Sequence, residues 1–208
     1  MYKIHPSREL NNLFKYKPYQ GVEPSLAHFL FIGLDANYQA DIESKEIFKQ
    51  VTAYHEDSVK FWQKYNVHHP FLLSDYHGDG QRYHRNFSKI GFKAEHANQI
   101  SFIELLHVPT VGRNKLHASD LDENHLATID DAILYGKPKH IFASANVLQL
   151  IRDSKKFSWL SKTNQTKEVL PVIFSKNEKS MYKHLHFSNY RNFQLQMEKE
   201  ASAIFNLI

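Results

Sequence analysis

The sequence predicts an α/β fold, a three-layer α/β/α sandwich with a short, mostly parallel central sheet. Three observations lead there. Short apolar runs alternate with longer amphipathic stretches, the pattern of a parallel sheet covered on both faces. The first run, Leu30-Phe31-Ile32-Gly33-Leu34, is apolar throughout, as strands buried on two sides are. A chain of 208 residues with 42% hydrophobic content has enough for one sizeable core, so 1–208 is read as a single domain.

The elements follow in order. A polar N-terminal region carrying Pro6, Pro18, Gly21 and Pro24 precedes a strand from His28 to Leu34. Glu43 to Tyr65 reads as helical, with Ile47, Phe48, Val51, Tyr54, Val59, Phe61 and Trp62 on one side. The charged Glu56-Asp57-Ser58 interrupts that stripe, so the segment is one helix or two. Turn formers around His68-His69-Pro70 and from Asp75 to Gly80 predict a loop, and Arg82 to Ile90 a short helix stopped by Gly91. Ile100 to Leu106 is a second strand, and Pro109 to Lys115 a loop.

Ser119 and Asp122 supply an N-cap for a helix to about Tyr135, ended by Gly136 and Pro138. His140 to Ser144 is a third strand, Ala145 to Arg152 a helix and Leu170 to Ser175 a fourth strand. The tail from Tyr190 to Phe205 is amphipathic and helical.

Composition narrows the function classes. The chain has no cysteine, which excludes disulfides, thiol catalysis, cysteine-based zinc sites and iron–sulfur clusters. It has no N-terminal apolar segment of signal length and no bilayer-length run, so a cytoplasmic location without membrane association is the expectation. The net charge of +4 permits a polyanionic partner without requiring one. Aromatic and basic residues interleave in Gln81-Arg82-Tyr83-His84-Arg85 and in Asn189-Tyr190-Arg191, which suits base stacking beside phosphate contacts as well as ordinary core filling.

Asp35 ends the first apolar run. In open α/β sheets ligands bind just beyond the carboxyl ends of the strands, so this acid stands where a substrate would be met. The alternative is that it caps a following helix. Glu104, at the end of the second apolar run, either reads a ligand or meets a basic side chain, because a lone buried carboxylate is costly.

Four segments then carry a pattern: Gly33-Leu34-Asp35-Ala36-Asn37; Arg82-Tyr83-His84 with Gly91-Phe92; Phe102-Ile103-Glu104-Leu105-Leu106-His107-Val108-Pro109-Thr110; and His186-Phe187-Ser188-Asn189-Tyr190. In this order and spacing they resemble the uracil-DNA glycosylase superfamily, and especially its mismatch-specific uracil/thymine branch. The first is similar to the strand-end motif Gly-x-(Asp or Asn)-Pro-(Gly or Tyr), and the second to Arg-Phe-Trp followed by Gly-Phe. The third is similar to a strand whose polar residue reads the base, and the last to His-Pro-Ser-Pro-Leu. Proline is replaced by Ala36 and Phe187, and Glu104 stands where the family has Asn. An amide both donates and accepts, whereas an ionised carboxylate only accepts, so Glu104 donates to a carbonyl only when protonated.

The resemblance implies cofactor-free, metal-free hydrolysis of an N-glycosidic bond in DNA containing a damaged or mismatched base, by a monomer. Asp35 would orient water or support the sugar cation, and His186 would stabilise the departing base. Gly33, Leu34, Asn37, Tyr83 and Glu104 would form the base pocket, with Tyr83 stacking on the base and Glu104 reading its edge. Ser188, Asn189, Tyr190 and Arg191 would contact DNA, Tyr190 or Arg191 filling the gap left by the flipped nucleotide. Lys183, Arg113 and Lys115 join Ser188 and Arg191 as phosphate contacts. Two other classes stay open. The many histidines, including His68-His69 and His77, raise a metal hydrolase, which chelator would silence. A glycosylase-like fold that binds DNA or a nucleobase without cutting would release no base.

Overall fold

The computed structural model of the chain describes residues 2–112, 115–160 and 167–208. The order of elements is α1 (Arg8–Tyr16), β1 (Tyr19–Gly21), β2 (Phe29–Gly33), β3 (Asn37–Tyr38), α2 (Phe48–Glu56), α3 (Ser58–Tyr65) and α4 (Gln81–Ser88). It continues with β4 (Ile100–Glu104), β5 (Thr110–Val111), α5 (Glu123–Tyr135), β6 (His140–Ser144), α6 (Ala145–Ser154), β7 (Val172–Lys176), β8 (Lys179–His184) and α7 (Gln194–Phe205). This is an α/β fold on a six-stranded sheet of order β1-β4-β2-β6-β8-β7. The inner strands β4, β2, β6 and β8 run parallel, and β1 and β7 close the two edges antiparallel.

The two sides of the sheet differ in chemistry, and strand alternation is the cause. Phe102, Phe31, Phe142 and Tyr182 lie in register on adjacent strands. Their rings form a stacked ladder with centroids 5.4, 4.6 and 5.2 Å apart. Trp62 of α3, Phe87 of α4 and Ile204 of α7 cover this aromatic face. The neighbouring residues Leu30, Ile32, Ile103, Ile141 and Met181 point the other way, into an aliphatic cluster completed by α5 and α6. Helices on both faces make the arrangement compatible with three layers.

Side-chain caps set several helix starts. Ser7 Oγ accepts from the Leu10 N–H, and Asp122 from the His125 N–H. Asp57 ends α2 with non-helical backbone and caps α3 by accepting from the Lys60 N–H at 3.0 Å, so the charged interruption makes two helices.

Several expectations need correction. The polar N-terminus holds α1 and the edge strand β1. The expected loop at 109–115 contains β5, which pairs with β3 through Thr110 and Val111. A strand not foreseen, β8, sits between β6 and β7 and joins β7 by a tight turn whose Asn177 and Glu178 take φ of 49° and 63°. The last helix starts at Gln194, after a 3-10 turn over Arg191–Phe193, not at Tyr190. Among the described residues no helix is long and apolar enough to cross a membrane.

Strand order determines where a ligand can enter. From β2 the chain crosses by the aromatic face to β4 on one side; from β4 it crosses by the aliphatic face, through α5, to β6 on the other. The carboxyl ends of β2 and β6 therefore flank a topological switch point, where open α/β sheets form their crevice, and the end of β4 lies next to it on the far side of β2.

Candidate active site

A cavity of about 270 Å³ opens beyond the carboxyl ends of β2 and β4, beside that switch point. Gly33 and Leu34 from the end of β2, with Asp35, Ala36 and Asn37 beyond it, form one wall, and Glu104 at the end of β4 forms the next. Tyr83 of α4 and His186 and Ser188, after β8, complete the mouth. All seven residues assigned from sequence to catalysis and base binding thus line one hollow.

Asp35 does not cap a helix. The segment after β2 stays extended into β3, because the Leu105, Leu106 and Thr110 N–H groups donate to the Gly33, Leu34 and Ala36 carbonyls. The Thr110 hydroxyl donates to Asp35 Oδ2 and fixes the carboxylate. Asn37 spends its amide on Thr110 Oγ1 at 3.0 Å and the Gly112 carbonyl at 2.6 Å, so it braces β3 against β5 as well as lining the cavity.

Gly33 and Glu104 are register partners across β2 and β4. The Glu104 carboxyl lies over the Gly33 Cα: a Cβ there would collide with Oε2 and stand 2.6 Å from Cδ and 2.7 Å from Oε1. Space, not backbone conformation, demands glycine at this position. Gly33→Ala should force the Glu104 side chain outward into the cavity. We expect a modest loss of stability, about 1–2 kcal/mol, and loss of any ligand that needs the hollow. Combining it with Glu104→Ala should bring no additive loss of ligand affinity, which a double-mutant cycle measures.

Burial, with the nearby Asp35 charge, pushes the Glu104 carboxyl up to about 8. Among the described residues no hydrogen-bond or ion-pair partner meets that carboxyl, so the basic partner that the sequence left open is not among them. Among the described residues no lysine or arginine lines the cavity.

His186 is half-buried, and burial holds its pKa below the usual range against the opposing pull of Asp35. The Ser188 backbone N–H donates to His186 Nδ1 at 3.2 Å. A backbone N–H can only donate, so Nδ1 is the acceptor and the neutral ring carries its proton on Nε2. Tyr83 packs against this ring with centroids 5.4 Å apart. Phe187, where the motif it resembles has proline, turns inward and joins the aromatic core beside Phe31, Phe87 and Tyr83. Asn86 of α4 anchors the loop by donating to the Phe187 carbonyl at 2.6 Å and the Asn189 carbonyl at 3.2 Å.

Asn189, Tyr190 and Arg191 follow this loop outside the cavity lining. Tyr190 is 49% exposed, with the Arg82 guanidinium 4.5 Å and the Arg191 guanidinium 5.2 Å from its ring centre. An aromatic face and two cations thus stand together on the surface. Lys183 lies on β8 and Lys115 is exposed. Arg113 lies outside the described residues.

Sequence reasoning missed the back wall. His69 and His84 stack at 3.5 Å with planes 6° apart, and His84 Nδ1 is 3.2 Å from His68 Nε2. Burial depresses all three pKa values, that of His68 to about 3, so the wall is uncharged at neutral pH. Gln20, which also lines the cavity, donates to the Tyr38 hydroxyl at 3.2 Å. His68-His69 and His84 are visible in the sequence, but their stacking depends on α4 folding back over the His69-Pro70 turn. Among the described residues no group of three or more His, Asp or Glu side chains is arranged to hold a metal ion. Compared with known proteins, the chain matches no family model and no curated sequence.

Proposed function

We propose that this protein is a DNA glycosylase of the uracil-DNA glycosylase type, an α/β/α sandwich that hydrolyses the N-glycosidic bond of a damaged or mismatched base. The observation that carries the reading is the convergence of Asp35 and His186 on one cavity. These groups come from opposite ends of the chain, and the cavity's volume, about 270 Å³, suits one flat heterocycle better than a drug-sized ligand of roughly 300–1,000 Å³ pocket.

Breaking this bond leaves positive charge on the sugar and negative charge on the base. Asp35, held by Thr110, supplies a fixed carboxylate for the cation and for an attacking water. His186, held as a neutral donor by Ser188, offers Nε2–H to the oxygen on which the base anion forms. Tyr83 offers an aromatic wall, and the uncharged histidines behind it keep the cavity weakly polar, which strengthens both interactions. Outside, Tyr190 flanked by Arg82 and Arg191 combines a stacking face with phosphate-binding charge, as a protein that extrudes a nucleotide requires.

The test is incubation with oligonucleotides bearing uracil, hypoxanthine, hydroxymethyluracil or mismatched thymine, in chelator. Alkali-labile abasic sites are expected, and Asp35→Ala should slow their formation about 100-fold or more. Salt-sensitive DNA binding with no base released from any substrate would leave a binding protein instead.

A further inference from the structure

Glu200 is a buried acid that the proposed chemistry leaves unused. Helix α7 buries Met197, Ala201 and Ile204 at helical spacing, and Glu200 stands in the same stripe, 7% exposed. An apolar residue would serve packing better there, since a carboxyl taken from water is costly unless donors meet it. Two donors do so. Glu200 Oε2 accepts from the Leu185 N–H at 2.8 Å, and Oε1 from the Gln196 amide at 3.0 Å. Burial raises the pKa of the carboxyl, while these bonds and the nearby Lys183 oppose the rise.

Leu185 is the residue before His186, and the sheet does not satisfy it. β8 keeps register with β6 only as far as the Ser144 and His184 pair, because α6 begins at Ala145. The Leu185 N–H is the first beyond that ladder, and a backbone donor there needs an acceptor from elsewhere. Glu200 provides it. The peptide groups that follow are held as well. The Leu185 carbonyl can only accept, so His184 Nδ1 donates to it, at 2.6 Å. The His186 carbonyl accepts from the Asn189 N–H at 2.9 Å, and the Phe187 carbonyl from Asn86 at 2.6 Å. Consecutive peptide groups on both sides of His186 are thus pinned, the first of them by an acid from α7.

We infer that Glu200 is a positioning residue: by accepting the Leu185 N–H it fixes the turn that holds His186 at the mouth of the cavity. The Ser188 N–H then reaches His186 Nδ1, which leaves the neutral ring with its proton on Nε2. Without the Glu200 bond the first peptide group is free to rotate, and the turn loses the geometry on which the Ser188 bond depends. The value of this to base release rests on the glycosylase reading. The placement of His186 does not.

Reach and charge can be separated at this position. Glu200→Asp keeps the charge and withdraws the carboxyl by one carbon, about 1.5 Å. Glu200→Gln keeps the reach and an accepting oxygen and removes the charge. Two-bond ¹H–¹⁵N NMR of the His186 ring in the full chain, assigned by comparison with His186→Gln, reports its tautomer. Wild type and Glu200→Gln should show the neutral ring protonated on Nε2, and Glu200→Asp a mixture of tautomers with a shifted Ser188 amide. Gln196→Ala removes the other donor to the same carboxyl and should leave His186 as in the wild type. On an oligonucleotide from which the wild type releases base, Glu200→Asp should lower the single-turnover maximal rate about 10–100-fold, with the half-saturating concentration changed less than about threefold. Glu200→Gln should keep the wild-type rate within about threefold.

A wild-type His186 spectrum in Glu200→Asp, or an altered one in Glu200→Gln or Gln196→Ala, would overturn the inference. So would a Leu185 amide that exchanges with solvent as fast as one in an open turn, a measurement on the wild type that needs no variant to fold. Abasic-site formation is scored separately. Shifted His186 signals in Glu200→Asp, with no base released from any oligonucleotide by the wild type, would sustain the placement and sink the glycosylase. Base release by the wild type, with unshifted signals in Glu200→Asp, would do the reverse.

Discussion

Glu104→Gln should stabilise the folded protein, by an amount that grows with pH. The folded-state pKa of Glu104 lies near 8, above its ordinary value of 4.5. The sign follows from linkage. Below pH 4.5 the carboxyl is protonated in both folded and unfolded chains and costs nothing. Between pH 4.5 and 8 the unfolded chain ionises while the folded one resists, so wild-type stability is progressively lost until the folded group titrates too. Gln has no such term. The difference between the proteins should be near zero at pH 4.5 and reach on the order of 2–4 kcal/mol by pH 9. The lower end allows for the side of the carboxyl that borders the open cavity.

Other groups do not obscure this. Burial holds the pKa values of His55, His68, His140 and His184 below 6.5, so stability is lost as pH falls below that value, in both proteins alike. Urea denaturation at pH 5, 7 and 9 separates the two effects. A Glu104→Gln gain independent of pH, or no gain at pH 9, would show that the carboxyl is ionised and satisfied in the folded protein.

The sequence was most legible where burial left a continuous apolar run. β2, β4 and β6 fall within a residue or two of their expected limits, because strands buried on both faces admit few polar residues. The elements that escaped notice are those whose inward face is small. In α1 only Leu10 and Phe14 are buried, an i, i+4 pair too short to register as a stripe among polar neighbours. In β8 only Met181, Tyr182 and His184 are buried, and lysines flank them. Its place is set by β6 and β7 on either side, which no local pattern reports.

The site divides along the same line. Asp35 and Glu104 were legible because strand ends in a parallel sheet are where ligands meet the protein, and both are acids closing apolar runs. His186 was not distinguishable from the other histidines by local chemistry; only its resemblance to a family motif singled it out. The stacked His69 and His84 depend on tertiary packing, and that no described side chain pairs with the Glu104 carboxyl is visible only in coordinates. Conversely, the N-cap reading of Asp35 was reasonable locally and fails because backbone bonds from Leu105, Leu106 and Thr110 keep the chain extended.

His186→Leu should lower the rate of base release about 10²–10³-fold, the usual cost of removing one donor from a developing oxyanion. Leucine keeps most of the packing against Tyr83 and removes only the polar edge, so the loss should fall on the chemical step. Single-turnover kinetics should show it in the maximal rate, with the half-saturating concentration of oligonucleotide changed less than about threefold. His186→Gln can still present an N–H toward the cavity and should recover about tenfold of the loss. The pH profile adds an independent check. The Ser188 N–H occupies Nδ1, so protonating His186 breaks that bond before it adds a donor. Activity should therefore fall, not rise, as pH drops below the His186 pKa, and the acid limb should disappear in His186→Gln. If His186→Leu retains activity within threefold of the wild type while Asp35→Ala does not, the anion must be stabilised elsewhere in the cavity. The protonated Glu104 carboxyl, which lines the same cavity, would then be the donor to test next.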